Sequence, residues 1–186
     1  MWNKRLIWQL NCLRFQMTGI TKTLLQMLSN NGSEMREMHE MPISSVLLDT
    51  NVLLDFLFKR GVFFHEALHL WQMAESSSIE FAISAISVNN VFYIISKQSG
   101  KEKAYQAVSI LLKLFSIAPV DATILARASR TSCNDFEDAI QIQTAHAIEA
   151  SCIVTRDQKH FTGSHIPVLS PREALAVLSH QLVMLR

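Results

Sequence analysis

From Ser45 onward, short apolar, often β-branched runs alternate with longer stretches of helical periodicity, and this alternation restricts the fold more than any other feature. The short runs fall at 46–48, 79–83, 116–120, 152–155 and 168–169, and the helical stretches near 50–58, 62–77, 86–98, 101–114, 121–131, 135–150 and 171–180. Strands separated by helices pair in parallel, because a crossover must return the chain to the same end of the sheet. The runs are apolar almost continuously, as strands buried on both faces are. The expected class is therefore α/β: a three-layer α/β/α arrangement around a central parallel sheet of about five strands. Ser170-Pro171-Arg172-Glu173 reads as a capping box with proline at the first helical position. Asn134 reads as the cap of the helix over 135–150, with Glu137 reaching back from its third position.

The chain has 186 residues, 49% of them hydrophobic and 18% charged, which suits one globular domain with an appendage. Formal net charge is +1, so no whole-molecule basic field marks nucleic acid, and such a partner would be held by a local patch and by metal. Cys12, Cys133 and Cys152 are too few and too far apart for a disulfide framework or a zinc pattern and read as free thiols of a reducing compartment. Polar residues interrupt the apolar N-terminus at Asn3, Gln9, Asn11, Arg14 and Gln16, and no run approaches the roughly 20 residues of a membrane span. A cytoplasmic protein without a membrane partner is expected. Residues 1–30 hold four basic side chains and no acid, and 29–33 reads as a linker. The expected division is an N-terminal extension over 1–43, helical or flexible, and a catalytic domain over 44–186.

Four aspartates stand where such a fold does chemistry. Asp49 ends the first apolar run and Asp157 follows the fourth, and ligands of open α/β sheets bind at the carboxyl ends of strands. Asp135 and Asp138 share one face at the start of the intervening helix. Each has a structural alternative: Asp49 as a helix cap, Asp135 and Asp138 as acids favoured by the helix dipole, Asp157 as a turn residue. Taken together, acids at two strand ends and one helix start would face a single crevice, where their repulsion calls for a cation such as Mg²⁺ or Mn²⁺.

Leu47-Leu48-Asp49-Thr50-Asn51-Val52, then Asp135-Phe136-Glu137-Asp138-Ala139, then Ile153-Val154-Thr155-Arg156-Asp157 with Phe161, resemble the PIN-domain family in order and interval over about residues 45–180. The resemblance implies a PIN-like fold and a Mg²⁺- or Mn²⁺-dependent endoribonuclease, of the kind that many bacteria pair as a toxin with an antitoxin; a homo-oligomer is also expected. It carries over Asp49, Asp138 and Asp157 as catalytic, metal-holding acids, with Asp135 beside them and Asn51 and Thr155 as polar support. Where the family has a glutamate on the helix after the second strand, this chain has Asn90, which offers an oxygen without a charge. Arg156 and Lys159 are candidate contacts to substrate phosphates, with Lys59 and Arg60 also near the strand ends. The alternative is a degenerate domain of this fold that binds RNA or a protein partner without cutting.

His65-Glu66-Ala67-Leu68-His69 fits the pattern of a zinc-protease helix, but no third ligand stands at a suitable interval, and a surface histidine pair is the simpler reading. His146 reads as an interior or interface histidine, and Phe63, Phe64, Trp71 and Met73 as core. No glycine-rich phosphate loop is present, which argues against a nucleotide cofactor.

Overall fold

The computed structural model describes residues 42–133 and 135–184. The expectations for residues 1–41, including Cys12, and for Asn134 lie outside the described residues. In chain order the elements are β1 (Ser45–Leu48), α1 (Thr50–Leu57), α2 (Phe63–Ser76), β2 (Glu80–Ser84), α3 (Ala85–Ser99), α4 (Lys101–Leu114), β3 (Ser116–Ala118), α5 (Ala122–Ala128), α6 (Phe136–Ala147), β4 (Cys152–Val154), a 3₁₀ turn (Gln158–Phe161), β5 (Val168–Leu169) and α7 (Pro171–Met184). Ile43–Leu175 form one compact unit; the later part of α7, from Ala176, belongs to a second.

All five strands are parallel, in the order β3-β2-β1-β4-β5. This is the expected α/β/α architecture, with helices flanking the sheet. Leu47, Ala82, Ala118 and Ile153, one from each of four strands, pack with Ile142 and Ala145 of α6 on one face. Strand residues alternate in direction, so Val46, Leu48, Phe81 and Ile83 face the other side. They too are buried, at 3% exposure or less, which is why the runs read as continuously apolar. An aromatic group of Phe56 (α1), Trp71 (α2) and Phe115 supports the helices: Phe56 stacks on Trp71 at 4.0 Å and Phe115 meets Trp71 edge-on at 5.0 Å.

The boundaries differ from expectation for local reasons. β3 stops at Ala118 because Pro119 has no N–H for the ladder. α5 ends at Ala128, where Ser129 and Thr131 turn their hydroxyls onto the Ala126 and Arg127 carbonyls. α6 begins one residue late because Asp135 caps it, its carboxylate accepting from the Glu137 N–H at 2.7 Å. It closes at Ala147, with Glu149 in the left-handed region (φ 52°) and the Ala150 N–H returning to the Ala145 carbonyl. The capping box of α7 is made: Ser170 Oγ and Glu173 Oε2 lie 2.7 Å apart, and each side chain also meets the other's backbone N–H.

The strand order fixes where a site can form. The chain leaves β1 for β2 and β3 on one side, then crosses to β4 on the other, so the direction of winding reverses between β1 and β4. Open parallel sheets leave a crevice at the carboxyl ends of such strands. Asp49 follows β1 and Thr155-Arg156-Asp157 follow β4.

Candidate active site

Asp49 occupies the N-cap position of α1 but makes no side-chain cap bond. Its carboxylate accepts instead from Thr155 Oγ1 on Oδ2 at 2.7 Å and from Gln141 Nε2 on Oδ1 at 2.9 Å. The group is 4% exposed. Burial pushes its pKa above the usual carboxylate range and the Glu137 charge adds to this, while the bonds from Thr155, Gln141 and the Thr50 backbone oppose it. Gln141 is fully buried and its Oε1 has no partner among the described residues.

The first turn of α6 brings three more acids. Asp135 is the cap, and Glu137 accepts from Thr50 Oγ1 at 2.8 Å, while the same hydroxyl bonds Ser87 Oγ at 2.9 Å. Asp138 Oδ2 lies 3.4 Å from His160 Nδ1, which projects from the 3₁₀ turn. Burial, followed by the charges of Asp49 and Asp135, pushes the Asp138 carboxyl up to about 6, against the pull of His160.

Asp157 is exposed and held from below. Asn51 Nδ2 donates to Asp157 Oδ2 at 3.3 Å and to Thr155 Oγ1 at 3.1 Å, and the Asp157 N–H donates to Thr155 Oγ1 at 3.0 Å. Asn51 Oδ1 accepts the Arg156 N–H at 3.3 Å. Thr155 thus ties β1 to β4 through Asp49 on one side and Asn51 and Asp157 on the other.

These residues line one pocket of about 410 Å³, within the range of small-ligand sites: Asp49, Thr50, Asn51, Asp135, Glu137, Asp138, Asp157 and His160, together with Leu54, Asn90, Tyr93 and Ile94. The sequence-derived Asp49, Asp135, Asp138, Asp157, Asn51 and Asn90 are brought together, and Thr155 stands directly behind Asp49. Arg156 and Lys159 do not line the pocket. Arg156 points its guanidinium at Asp55, at 3.1 Å, and lies 4.5 Å from the centre of the Phe63 ring. Arg60 joins the same carboxylate at 3.5 Å. Asp55 is 1% exposed, which is why two arginines are drawn to it, and burial still pushes its pKa up against both. Phe63, expected in the core, is 39% exposed under Arg156. His65 and His69 lie on α2 outside the pocket, and no third ligand joins them among the described residues. Cys152 is buried, which raises its thiol to about 12, so it is inert.

Four contributors were not singled out from the sequence as site residues. Glu137 was read as a cap. Gln141 lies three residues after Asp138 and so shares its face. His160 lies three residues after Asp157 in a turn of period three. Tyr93 lies three residues after Asn90 on α3, by the same spacing. Helical spacing from Asp138, Asp157 and Asn90 would have found all but Glu137.

The sequence matches the family model of the PIN domain over residues 45–159. Among solved structures the chain is similar to a toxin–antitoxin complex from Klebsiella pneumoniae, at 27% identity and a TM-score of 0.51 over 68% of this chain and 97% of that one. FitAcB from Neisseria gonorrhoeae is similar at 22% identity and a TM-score of 0.53, over 68% and 97%. VapBC-1 from nontypeable Haemophilus influenzae is similar at 14% identity and a TM-score of 0.55, over 68% and 98%. The last two likenesses speak to the fold alone. No curated protein sequence matches the chain. With the family's sequence pattern matched over more than half of its 186 residues, and with a parallel sheet and acid-lined crevice to go with it, the chain belongs to the PIN-domain family.

Proposed function

We propose that this protein is a Mg²⁺- or Mn²⁺-dependent endoribonuclease and the toxin of a toxin–antitoxin pair. One observation carries the reading: five carboxylates line a single pocket to which, among the described residues, no lysine or arginine contributes. Two of them, Asp49 and Asp138, are held above the usual carboxylate range, by burial first and by neighbouring acids after it. The residues present fit a hard cation, since Asp49, Asp135, Glu137, Asp138, Asp157, Asn51 and Asn90 all offer oxygen. Among the described residues no three Asp, Glu, His or Cys side chains stand close enough to hold a metal ion as placed, so binding would draw these acids together, with water completing the cation's shell.

Asp49, Asp138 and Asp157 would hold the cation, with Asp135 beside them. When bound, it supplies Lewis-acid polarisation of a phosphodiester and a water activated for attack. Every other part belongs to the chain. Thr155 and Gln141 fix both Asp49 oxygens, Asn51 orients Asp157, and Thr50 holds Glu137. Such fixed positions reduce the reorganisation needed as the phosphate reacts.

RNA as substrate follows from the family resemblance. The antitoxin partner follows from likeness to the Klebsiella toxin–antitoxin complex, and a homo-oligomer in the cytoplasm is consistent with that setting. No described helix is long and apolar enough to cross a membrane. A second reading, a PIN-fold module that binds RNA or protein without cutting, is favoured by Asn90, which lines the pocket at the place of the family's glutamate. Incubating the full chain with RNA in Mg²⁺, Mn²⁺ or EDTA separates the two. Metal-dependent, EDTA-sensitive cleavage is expected; RNA that stays intact at every metal concentration overturns the nuclease reading.

A further inference from the structure

The pocket is lined by two kinds of residue: five carboxylates, and Leu54 of α1 with Asn90, Tyr93 and Ile94 of α3. Tyr93 is 55% exposed although its ring borders the pocket, and the ammonium of Lys97, one turn further along α3, lies 4.3 Å from its ring centre. The neighbouring Phe92 is used differently, packing edge-on against Tyr105 at 5.0 Å. A large aromatic ring left in water beside a polar site has given up hydrophobic stabilisation that burial would provide. A lysine over its face puts a positive charge beside a residue that lines the acid-rich pocket.

We propose that Tyr93 is a stacking platform for a nucleobase of the substrate, with Lys97 taking a phosphate next to that base. This rests on the nuclease reading and names residues that reading does not use. The chemistry fits from three directions. Every base has a π-face, so stacking on an aromatic ring holds RNA without reading its sequence. The acids repel a polyanionic backbone, and Lys97, 4.3 Å from the Tyr93 ring centre, offers an opposing charge beside the platform. The Tyr93 ring and the acids border one pocket, so a base on the ring and a phosphate at the acids belong to one short stretch of chain. Because stacking needs an unpaired base, Tyr93 selects for bases free to leave a helix, while the acids act on the backbone.

The test uses the full chain carrying Asp157→Asn to block cleavage, in Mg²⁺, titrated with a ten-nucleotide RNA and with versions bearing one abasic site at each position in turn. Tyr93→Leu is expected to weaken binding of the intact RNA by roughly 5- to 100-fold, and Tyr93→Phe to recover it. One abasic position should weaken binding to the tyrosine protein while leaving Tyr93→Leu almost unaffected. Lys97→Gln should lower the salt dependence by about one phosphate contact. As Tyr93 is exposed, its variants should melt with the parent, so a binding change is not a folding change. Equal affinity of Tyr93→Leu and its tyrosine counterpart, or equal losses at every abasic position in both, overturns the proposal. A chain with Asp157 intact, assayed on the same RNA, separates the two claims. If it cuts while Tyr93→Leu changes nothing, only the platform falls; if it neither binds nor cuts, both readings fall together.

Discussion

Thr155 donates its hydroxyl to Asp49 Oδ2 at 2.7 Å, bridging the ends of two adjacent strands, and the same oxygen accepts from Asn51 Nδ2 and the Asp157 N–H. One small side chain thus sets the relative positions of two candidate metal-holding acids. Thr155→Val keeps the shape and removes the oxygen, stranding a buried carboxylate and two donors. A loss of about 1–3 kcal/mol in stability is expected, with metal-dependent cleavage falling at least about tenfold. Thr155→Ser, which restores the hydroxyl, should recover most of both. Thermal melts and cleavage rates on the pair check this, and a fully active valine variant would remove Thr155 from the site.

The acids also set a pH dependence. Asp138, held at about 6 against an ordinary 3.8, favours the folded state fully below pH 3.8, and that contribution is lost as pH rises through about 6. Asp49 is raised too and acts in the same direction. Without metal, stability should therefore fall between about pH 4 and 6 on account of these groups. Asp138→Asn should flatten that fall and be the more stable protein in EDTA at pH 7, by on the order of 1–3 kcal/mol. Added Mg²⁺ should reverse the ranking, since the parent's carboxylate holds the cation more strongly than a neutral amide. A parent whose melting temperature ignores pH over this range would show that Asp138 does not carry the strain.

Much of this was legible beforehand, for identifiable reasons. Strands buried on both faces give uninterrupted apolar runs, so β1 and β4 announced themselves, and an acid straight after such a run can hardly be placed elsewhere than at the sheet's carboxyl edge. The helix ends were harder, because they turn on single contacts: Pro119 shortening β3, Asp135 taking the cap expected of Asn134. The pairing of Arg156 with Asp55 was hidden for a more general reason. A cation next to a site acid reads as a phosphate contact, and nothing in the sequence shows that Asp55, one turn beyond Asn51 on α1, is buried and claims it. Tyr93 was missed because an aromatic at helical spacing reads as core until its exposure is known.

That pairing gives Arg156 a structural role. Its guanidinium is held by Asp55 while its backbone N–H meets Asn51, so it anchors the loop that carries Asp157. Arg156→Ala should destabilise the fold by about 2 kcal/mol at pH 7, less than a fully buried pair because the arginine is 27% exposed. The Asp55 carboxyl, already raised by burial, should rise further, so the loss grows with pH. RNA affinity should change little. A loss of RNA affinity with stability unchanged would return Arg156 to the phosphate-binding role.

We propose that residues 1–43 are an extension dispensable for folding of the domain over 44–186, since the family match begins at residue 45 and one compact unit runs from Ile43 to Leu175. A chain starting at Met41 keeps Ile43, which is buried, and the whole of β1. It should melt cooperatively and retain metal-dependent cleavage. An insoluble or non-cooperative product would place the extension in the folded core.

Asn90→Glu separates a weakened nuclease from a binding module. Asn90 lines the same pocket as the acids, so the new carboxylate would share that space with them. Five carboxylates already border that space, and a sixth raises their mutual repulsion when no cation is present and deepens the well when one is. The variant should therefore melt below its parent in EDTA, by several degrees for about 1 kcal/mol in a domain of this size, and gain more from added Mg²⁺. If the site cuts RNA, cleavage at limiting metal should rise in the variant, and Asp49→Asn should abolish it in either background. If the chain is a binder, RNA should stay uncut by the glutamate variant at any metal concentration. Equal Mg²⁺-induced melting shifts in the two proteins would mean that position 90 does not reach the cation, and the glutamate of the family would have no counterpart on α3.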